Sequence, residues 1–366
     1  MTTRYKAGVM ALPFLSNSGK RRDQAVVVDL GTRVTKAAAI QRKGETFLMT
    51  GFAMVDAPVY DRGISPDILS EHLKAVMQQL GVRAKHIVVV LGVGDSILRT
   101  TELPMVGVND MRMMLRLNSK NYLQQDFADY LFDCHILPFA EGPAGGTEGG
   151  GTKIPQKCKA LAGGAKRQLV EDVKLAAKNA GLVADVITSG LIGPANAFEM
   201  AMPDVFSKEV VALVDFGYKN SAISILMMGE LILTRVVGFG AAKLTTGIAE
   251  SLGISNAEAE GIKVGIPKEV ESTIQPLLTP LGRELRASID FFEHQQDKTV
   301  SQVFFSGGSS RSEYLVNALQ SELMVPCKAW NPTTFMSPAM PPAQLGELEQ
   351  VAPQLVVAVG GAMAAF

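Results

Sequence analysis

Cysteine and histidine are scarce in this chain. Three cysteines (Cys134, Cys158, Cys327) and four histidines (His72, His86, His135, His294) are scattered through 366 residues. No disulfide framework, zinc-ligand spacing or histidine metal cluster can be drawn from them, which fits a reducing compartment. An excess of one charge is also lacking. The 35 basic and 36 acidic side chains leave a net charge of -1, which removes any general electrostatic case for nucleic acid or an anionic lipid surface. No run of about 18 apolar residues occurs, so no bilayer-spanning helix is expected. The apolar stretch from Val9 to Leu15 is short, broken and followed by Lys20-Arg21-Arg22, and reads as part of a disordered tail rather than a secretory leader. Val356 to Ala365 is apolar but short, and reads as a buried helix. Hydrophobic residues still make up 47% of the chain, enough for more than one packed core.

Against that background two Asp-x-Gly turns stand out. Val26-Val27-Val28-Asp29-Leu30-Gly31-Thr32 and Val211-Ala212-Leu213-Val214-Asp215-Phe216-Gly217 each end an apolar strand at Asp, turn at Gly, and run into a second strand. Glycine lets backbone N–H groups approach an anion, and the Asp can hold a cation through water. A single turn of this kind is common in β-proteins. A pair in separate halves of one chain suggests two hairpins gripping one nucleotide from opposite sides.

Periodicity predicts the frame. Strands at 25–29, 35–42 and 45–56 precede a helix at 65–80, whose Ile68, Leu69, Leu73, Val76, Met77 and Leu80 fall at helical spacing. A strand at 86–91 follows, then a helix at 110–123 with Asn109 as N-cap, and strands at 128–137 and 157–162 around a glycine-rich tip at 141–151. A helix at 166–180 ends at Gly181. The pattern then repeats: strands at 210–215, 221–228 and 231–237, a helix at 241–252, short helices near 255–263, a long helix near 274–296, and a strand at 303–306. Such a duplicated α/β order places ligands in the cleft between two lobes.

A third element is Ser306-Gly307-Gly308-Ser309, where a strand ends in glycines before a helix start and exposes backbone N–H groups. By itself this is more often a packing turn. With the two hairpins, the set resembles the actin, sugar-kinase and heat-shock-chaperone superfamily, in which the hairpins take phosphates and the Gly-Gly turn takes adenosine. That superfamily's Glu-x-x-Lys adenine contact has a counterpart in Glu260 and Lys263, which would otherwise be a solvated i,i+3 pair.

More narrowly, the chain from about Val26 onward resembles the PilM family of type IV pilus proteins. The resemblance is carried by Asp29-Leu30-Gly31-Thr32, by Arg99 to Pro104 before an inserted subdomain, by Leu233 to Gly240, by Ala257 to Lys263, and by Leu281 to Phe292. It implies an actin-like α/β fold of duplicated ribonuclease H-like lobes with an FtsA-type inserted subdomain. The expected division is a flexible tail at 1–24, a first lobe at 25–85 and 166–207, and the insert at 86–165. The second lobe is expected at 208–254 and 301–366, with the last helix able to pack on the first lobe, and a small helical subdomain at 255–300. The resemblance further implies ATP and magnesium as ligands. The expected contacts are Asp29, Gly31, Thr32, Lys36, Asp215, Gly217, Lys219, Asn220, Ser221, Gly238, Gly240, Glu260, Lys263, Gly307, Gly308 and Ser309, with Asp29 and Asp215 holding magnesium through water. It implies as partner the N-terminal cytosolic peptide of a PilN-like inner-membrane protein, docked somewhere in 86–205, with other pilus platform proteins around it. Self-association is left open. The location is then cytoplasmic, with membrane contact only through the partner.

Three departures bear on nucleotide chemistry. Tyr218 and Lys219 stand where relatives have small or hydroxyl residues, so crowding and charge neutralisation oppose each other. Arg33 reads either as a phosphate clamp or as a solvated turn residue. Gly238-Phe239-Gly240 replaces an adjacent glycine pair. No residue is assigned to orient an attacking water, so turnover is expected to be slow or absent. The alternatives are a nucleotide-free scaffold of the same fold, an FtsA-like filament former, and a small-molecule kinase of the superfamily. Segment 190–196 reads as an ordinary turn before a helix, or as the lip of a peptide groove.

Overall fold

The computed structural model describes residues 10, 12–16, 22–58, 65–137, 157–265 and 270–366; the glycine-rich 141–151 segment lies outside them. The chain begins with β1 (Pro13–Ser16), β2 (Gln24–Asp29), β3 (Val34–Lys43), β4 (Thr46–Asp56), α1 (Pro66–Leu80) and β5 (His86–Leu91). An inserted unit follows: β6 (Ser96–Pro104), α2 (Val108–Leu117), α3 (Ser119–Leu123), β7 (Tyr130–Ile136) and β8 (Lys157–Lys166). The first lobe is then completed by α4 (Arg167–Asn179), β9 (Val183–Ser189), α5 (Gly193–Ala201) and α6 (Pro203–Lys208).

The second lobe comprises β10 (Val210–Phe216), β11 (Ser221–Met227), β12 (Glu230–Val237), α7 (Ala241–Leu252), α8 (Asn256–Gly265) and α9 (Glu271–Gln296). It continues through β13 (Gln302–Ser306), α10 (Glu313–Leu323) and β14 (Cys327–Ala329), after which come β15 (Met336–Pro338), α11 (Pro342–Val351) and α12 (Val356–Met363).

The two large sheets share one plan. In the first, β4, β3 and β2 form an antiparallel meander, and β5 and β9 continue it in parallel. In the second, β12, β11 and β10 form the meander, and β13 and β14 continue it in parallel. Strand β2 shows why both faces must be covered. Val26 and Val28 enter the core under α1 and α4, whereas Val27 enters the core shared with α5 and α12. A strand buried on both faces reads as a continuous Val-rich run rather than an alternating one. The insert is a three-stranded antiparallel sheet, β6-β8-β7, closed by Met111, Leu115 and Phe127 over Leu103 and Phe132.

Several expectations are revised. Strand β5 belongs to the first lobe, not to the insert, because Val27, Val28 and Asp29 pair with Val88, Val89 and Val90. The segment read as a tail includes β1, which covers the open edge of β9, with Leu12 fully buried beside it. There the Met10 N–H donates to the Asn196 side chain at 3.0 Å, and Asn196 donates back to the Met10 carbonyl at 2.9 Å. The expected helix at 110–123 is two helices, broken at Asn118 (φ -134°), and Asn109 lies inside the first instead of capping it. The region 301–366, expected in the second lobe, sends β15 back to pair with β4 of the first, and α12, expected to be able to pack on the first lobe, lies against β2, β5 and α5. Segment 190–196 is a short 3-10 turn leading into α5, buried throughout.

Candidate functional site

Strand β2 delivers Asp29 to the end of the first sheet, and β10 delivers Asp215 to the matching end of the second. The turns after them are built alike: the Gly31 N–H donates to the Asp29 carbonyl at 3.0 Å, and the Gly217 N–H to the Asp215 carbonyl at 3.1 Å. A Cβ on Gly31 would stand 2.3 Å from the Val34 carbonyl oxygen, and one on Gly217 2.5 Å from that of Asn220. Both turns therefore require glycine for closure of the hairpin itself. Gly307, at φ 88°, presses on the Phe216 carbonyl, where a Cβ would sit 2.3 Å away. This contact seats the β13 turn directly on the second Asp-x-Gly turn.

These elements converge on one cleft of about 740 Å³, within the usual range for a ligand site. Of the expected contacts, Asp29, Gly31, Thr32, Lys36, Asp215 and Gly217 line it, as do Asn220, Glu260, Lys263, Gly307, Gly308 and Ser309. Four expected contacts do not. The Ser221 hydroxyl is buried and donates to the Phe239 carbonyl at 2.7 Å. Gly240 lets α7 start against the turn: the Ala241 and Ala242 N–H groups donate to the Gly217 and Tyr218 carbonyls at 3.0 and 2.9 Å. Gly238 and Lys219 also stand outside the lining. The first N–H groups of α7 are thus spent on the hairpin.

The charges in the cleft are organised around Lys36. Its Nζ lies 3.0 Å from Asp29 Oδ2. Burial by itself would lower the Lys36 ammonium, but Asp29 and Asp215 outweigh it and hold the pKa above the ordinary lysine value. Asp215 moves the other way from most paired carboxylates. Burial, with Asp29 nearby, pushes it up to about 6, against the opposing pull of Lys36 and the Ser306 hydroxyl, which donates at 3.3 Å.

The Glu260–Lys263 pair is not a solvated one. Lys263 Nζ is 2.7 Å from Glu260 Oε2 and 2.9 Å from Thr245 Oγ1, and the Thr245 hydroxyl donates in turn to Glu260. Burial lowers the Lys263 pKa despite its partner; burial would raise Glu260, but the Lys263 and Thr245 hydrogen bonds bring it below the usual value. Sequence reading passed over Arg311, Tyr314 and Gln354, which also line the cleft. Arg311 adjoins the Gly-Gly motif and was legible from it. Gln354 arrives from the turn before α12, and no local pattern announces it.

Among the described residues no helix is long and apolar enough to cross a membrane. The chain matches the family described as type IV pilus assembly protein PilM over residues 27–366. A solved structure described as the PilM-PilN type IV pilus biogenesis complex superposes with a TM-score of 0.79 at 20% identity, covering 94% of this chain and 99% of that one. The ethanolamine utilization protein EutJ from Carboxydothermus hydrogenoformans superposes with a TM-score of 0.54 at 15% identity, covering 94% of this chain and 91% of that one. With its two matching lobes and the cleft between them, the fold is actin-like. Because the family match spans nearly the whole chain, this protein belongs to the PilM family of type IV pilus assembly proteins.

Proposed function

We propose that this chain is a cytoplasmic scaffold of a type IV pilus inner-membrane platform, binding ATP with magnesium between its lobes and the N-terminal cytosolic peptide of a PilN-like membrane protein. The observation that carries the nucleotide part is convergence. Two Asp-x-Gly turns, a Gly-Gly turn and a half-buried Glu-Lys pair, up to 278 residues apart in sequence (Asp29 to Gly307), face one cleft. The partner is inferred from family membership and from the likeness to the PilM-PilN complex, and the FtsA-type character of the insert rests on its position between β5 and α4.

The donor set fits the proposed ligands. Two carboxylates, Asp29 and Asp215, share one ammonium, Lys36, so the cleft floor keeps an excess of negative charge for a cation. No cluster of three or more His, Cys, Asp or Glu side chains that could hold a metal ion is found among the described residues. The remaining ligands would therefore be water and phosphate oxygens, the arrangement magnesium favours. Bound there, the ion would neutralise phosphate charge. Lys36 would add a fixed positive charge beside it, and Gly308 and Ser309 would border the sugar and base. No cleft side chain is assigned the orientation of water, so nucleotide serves as a structural or switching ligand with slow or absent turnover.

Calorimetric titration with ATP and magnesium tests this. The wild type is expected to bind with micromolar affinity and Asp29→Ala to lose at least about tenfold, the scale of a charge-assisted contact. A wild type without measurable binding would leave only the nucleotide-free scaffold, and steady phosphate release abolished by Asp215→Ala would replace the switching role with an enzymatic one.

A further inference from the structure

Arg33 is held differently from the two lysines of the cleft. Lys36 is matched to Asp29 on its own lobe, and Lys263 is buried against Glu260 and Thr245. Arg33, from the β2–β3 turn, reaches across the cleft instead. Its guanidinium carbon lies 4.9 Å from the centroid of the Tyr218 ring, and its Nη1 lies 3.7 Å from Glu260 Oε2. Both partners belong to the second lobe, and the Arg33 side chain remains 44% exposed. The Tyr218 turn is engaged from its other side as well: a Cβ on Gly94, in the β5–β6 turn, would stand 2.9 Å from the Asn220 amide nitrogen.

Neither Arg33 contact is strong. An exposed cation–π contact and a long, exposed ion pair are each readily exchanged. A guanidinium presents its donors in a planar fork that matches phosphate oxygens better than it matches a ring face. Tyr218 and Glu260 therefore hold, at the cleft, a guanidinium well suited to an anion.

We infer that Arg33 is a phosphate-responsive bridge: its guanidinium ties the first lobe to Tyr218 and Glu260, and a nucleotide's polyphosphate competes with them for it. The inference rests on the nucleotide reading of the cleft and adds to it a specific role for two residues, Arg33 and Tyr218. Tyr218 becomes a competitor of the ligand for Arg33, so the two substitutions have opposite signs. Arg33→Ala removes the guanidinium that the polyphosphate would grip, whereas Tyr218→Ala removes only the ring that holds it back.

The experiment is calorimetric titration of ATP with magnesium into wild type, R33A, Y218A and Y218F, each first shown to unfold cooperatively. The expected result is affinity weakened about tenfold or more in R33A. In Y218A it should tighten about threefold, the scale of an exposed cation–π contact, while Y218F, which keeps the ring, stays at the wild-type value. Amide exchange without ligand gives a second readout: the 216–220 turn should exchange faster in R33A and Y218A, and no faster in the double variant than in either single one. Wild type that binds ATP while R33A binds equally well overturns the inference and leaves the nucleotide reading intact. So does a Y218A that loses affinity alongside R33A, because Tyr218 is then a supporting contact and not a competitor. A wild type that binds no ATP defeats the nucleotide reading and the inference with it.

Discussion

Asp215 carries the most consequential charge in the cleft, and its surroundings set a pH dependence. An ordinary aspartate at 3.8 is raised here to about 6 by burial and by Asp29. Between those values the native chain keeps a proton that the unfolded chain has released. Native stability therefore falls as pH rises through that window and is level above it. Because Asp215 faces an open cleft, the loss is discounted to about 1–2 kcal/mol. Asp215→Asn should accordingly be more stable than wild type by that amount at about pH 7.5 and indistinguishable at about pH 4, as thermal unfolding at both pH values would show. Under the proposed function ligand binding runs the other way, since the proposed cation would need the carboxylate: wild-type affinity for ATP with magnesium should fall as pH drops through about 6. An unchanged affinity would remove Asp215 from the cation site. The surroundings of Lys36 are no less specific. The family resemblance implied it as a contact, but its pairing with Asp29 and its field from Asp215 follow from tertiary placement.

At the scale of elements, α5 and α12 cross in close contact. Gly193 and Gly360 bring the two helices so close that a Cβ on Gly360 would lie 1.8 Å from the Gly193 carbonyl oxygen. Asn196, one turn further along α5, donates to the Gly360 carbonyl at 3.3 Å and also ties in Met10. Overpacking at such a site typically costs about 1–3 kcal/mol, and backbone against backbone belongs at the upper end. Gly360→Ala should therefore lower the unfolding midpoint by several degrees in a thermal scan, whereas Gly346→Ala, which meets nothing within 4 Å on α11, should not. Equal effects from the two would mean that the crossing relaxes freely. Strands β2 and β10 and helices α1 and α4 were legible because each carries a complete local signal: a Val-rich run ending in Asp-x-Gly, a Ser65 cap, or a glycine stop at Gly181. Strand β9 was not anticipated, and β15 is too short to carry a signal. It exists because β4 offers an unpaired edge.

Across the whole molecule, the lobes are joined by a firm base and a lightly held mouth. At the base Phe198 from α5 meets Phe304 from β13 and Trp330 in edge-on contacts, with ring centroids 4.7 and 5.1 Å apart. At the mouth stand Arg33 against Tyr218 and Glu260, and the insert reaches the second lobe through the Thr100 hydroxyl, which donates to the Ile232 carbonyl at 3.0 Å. An insert that touches both lobes is placed to feel how far they are apart. Under the proposed function, a peptide from the N-terminal cytosolic segment of a PilN-like protein should bind this chain, and ATP with magnesium should change its affinity. Thermodynamic linkage then requires the peptide to change the affinity for ATP by the same factor. Calorimetric titrations in both orders check this. A peptide affinity that ATP with magnesium leaves unchanged would remove the coupling, and an absence of peptide binding in either state would remove the partner from the proposal.

The sequence by itself determined the two Asp-x-Gly hairpins, the duplicated order of strands and helices, the Gly-Gly turn and the family. Each of these is written in a short window, where strand period, turn chemistry and residue type act locally. Only the tertiary structure decided which of those motifs share a cleft, that Gly240 and Ser221 serve the hairpin and not the cleft, and that Glu260 forms a hydrogen-bonded triad with the buried Lys263 and Thr245. The same holds for β5, β15 and α12, whose places depend on which sheet edges and faces remain open after the local elements have formed. Pairing of open edges and burial of two-faced strands are satisfied by residues far away in the chain, and no local pattern records the partner.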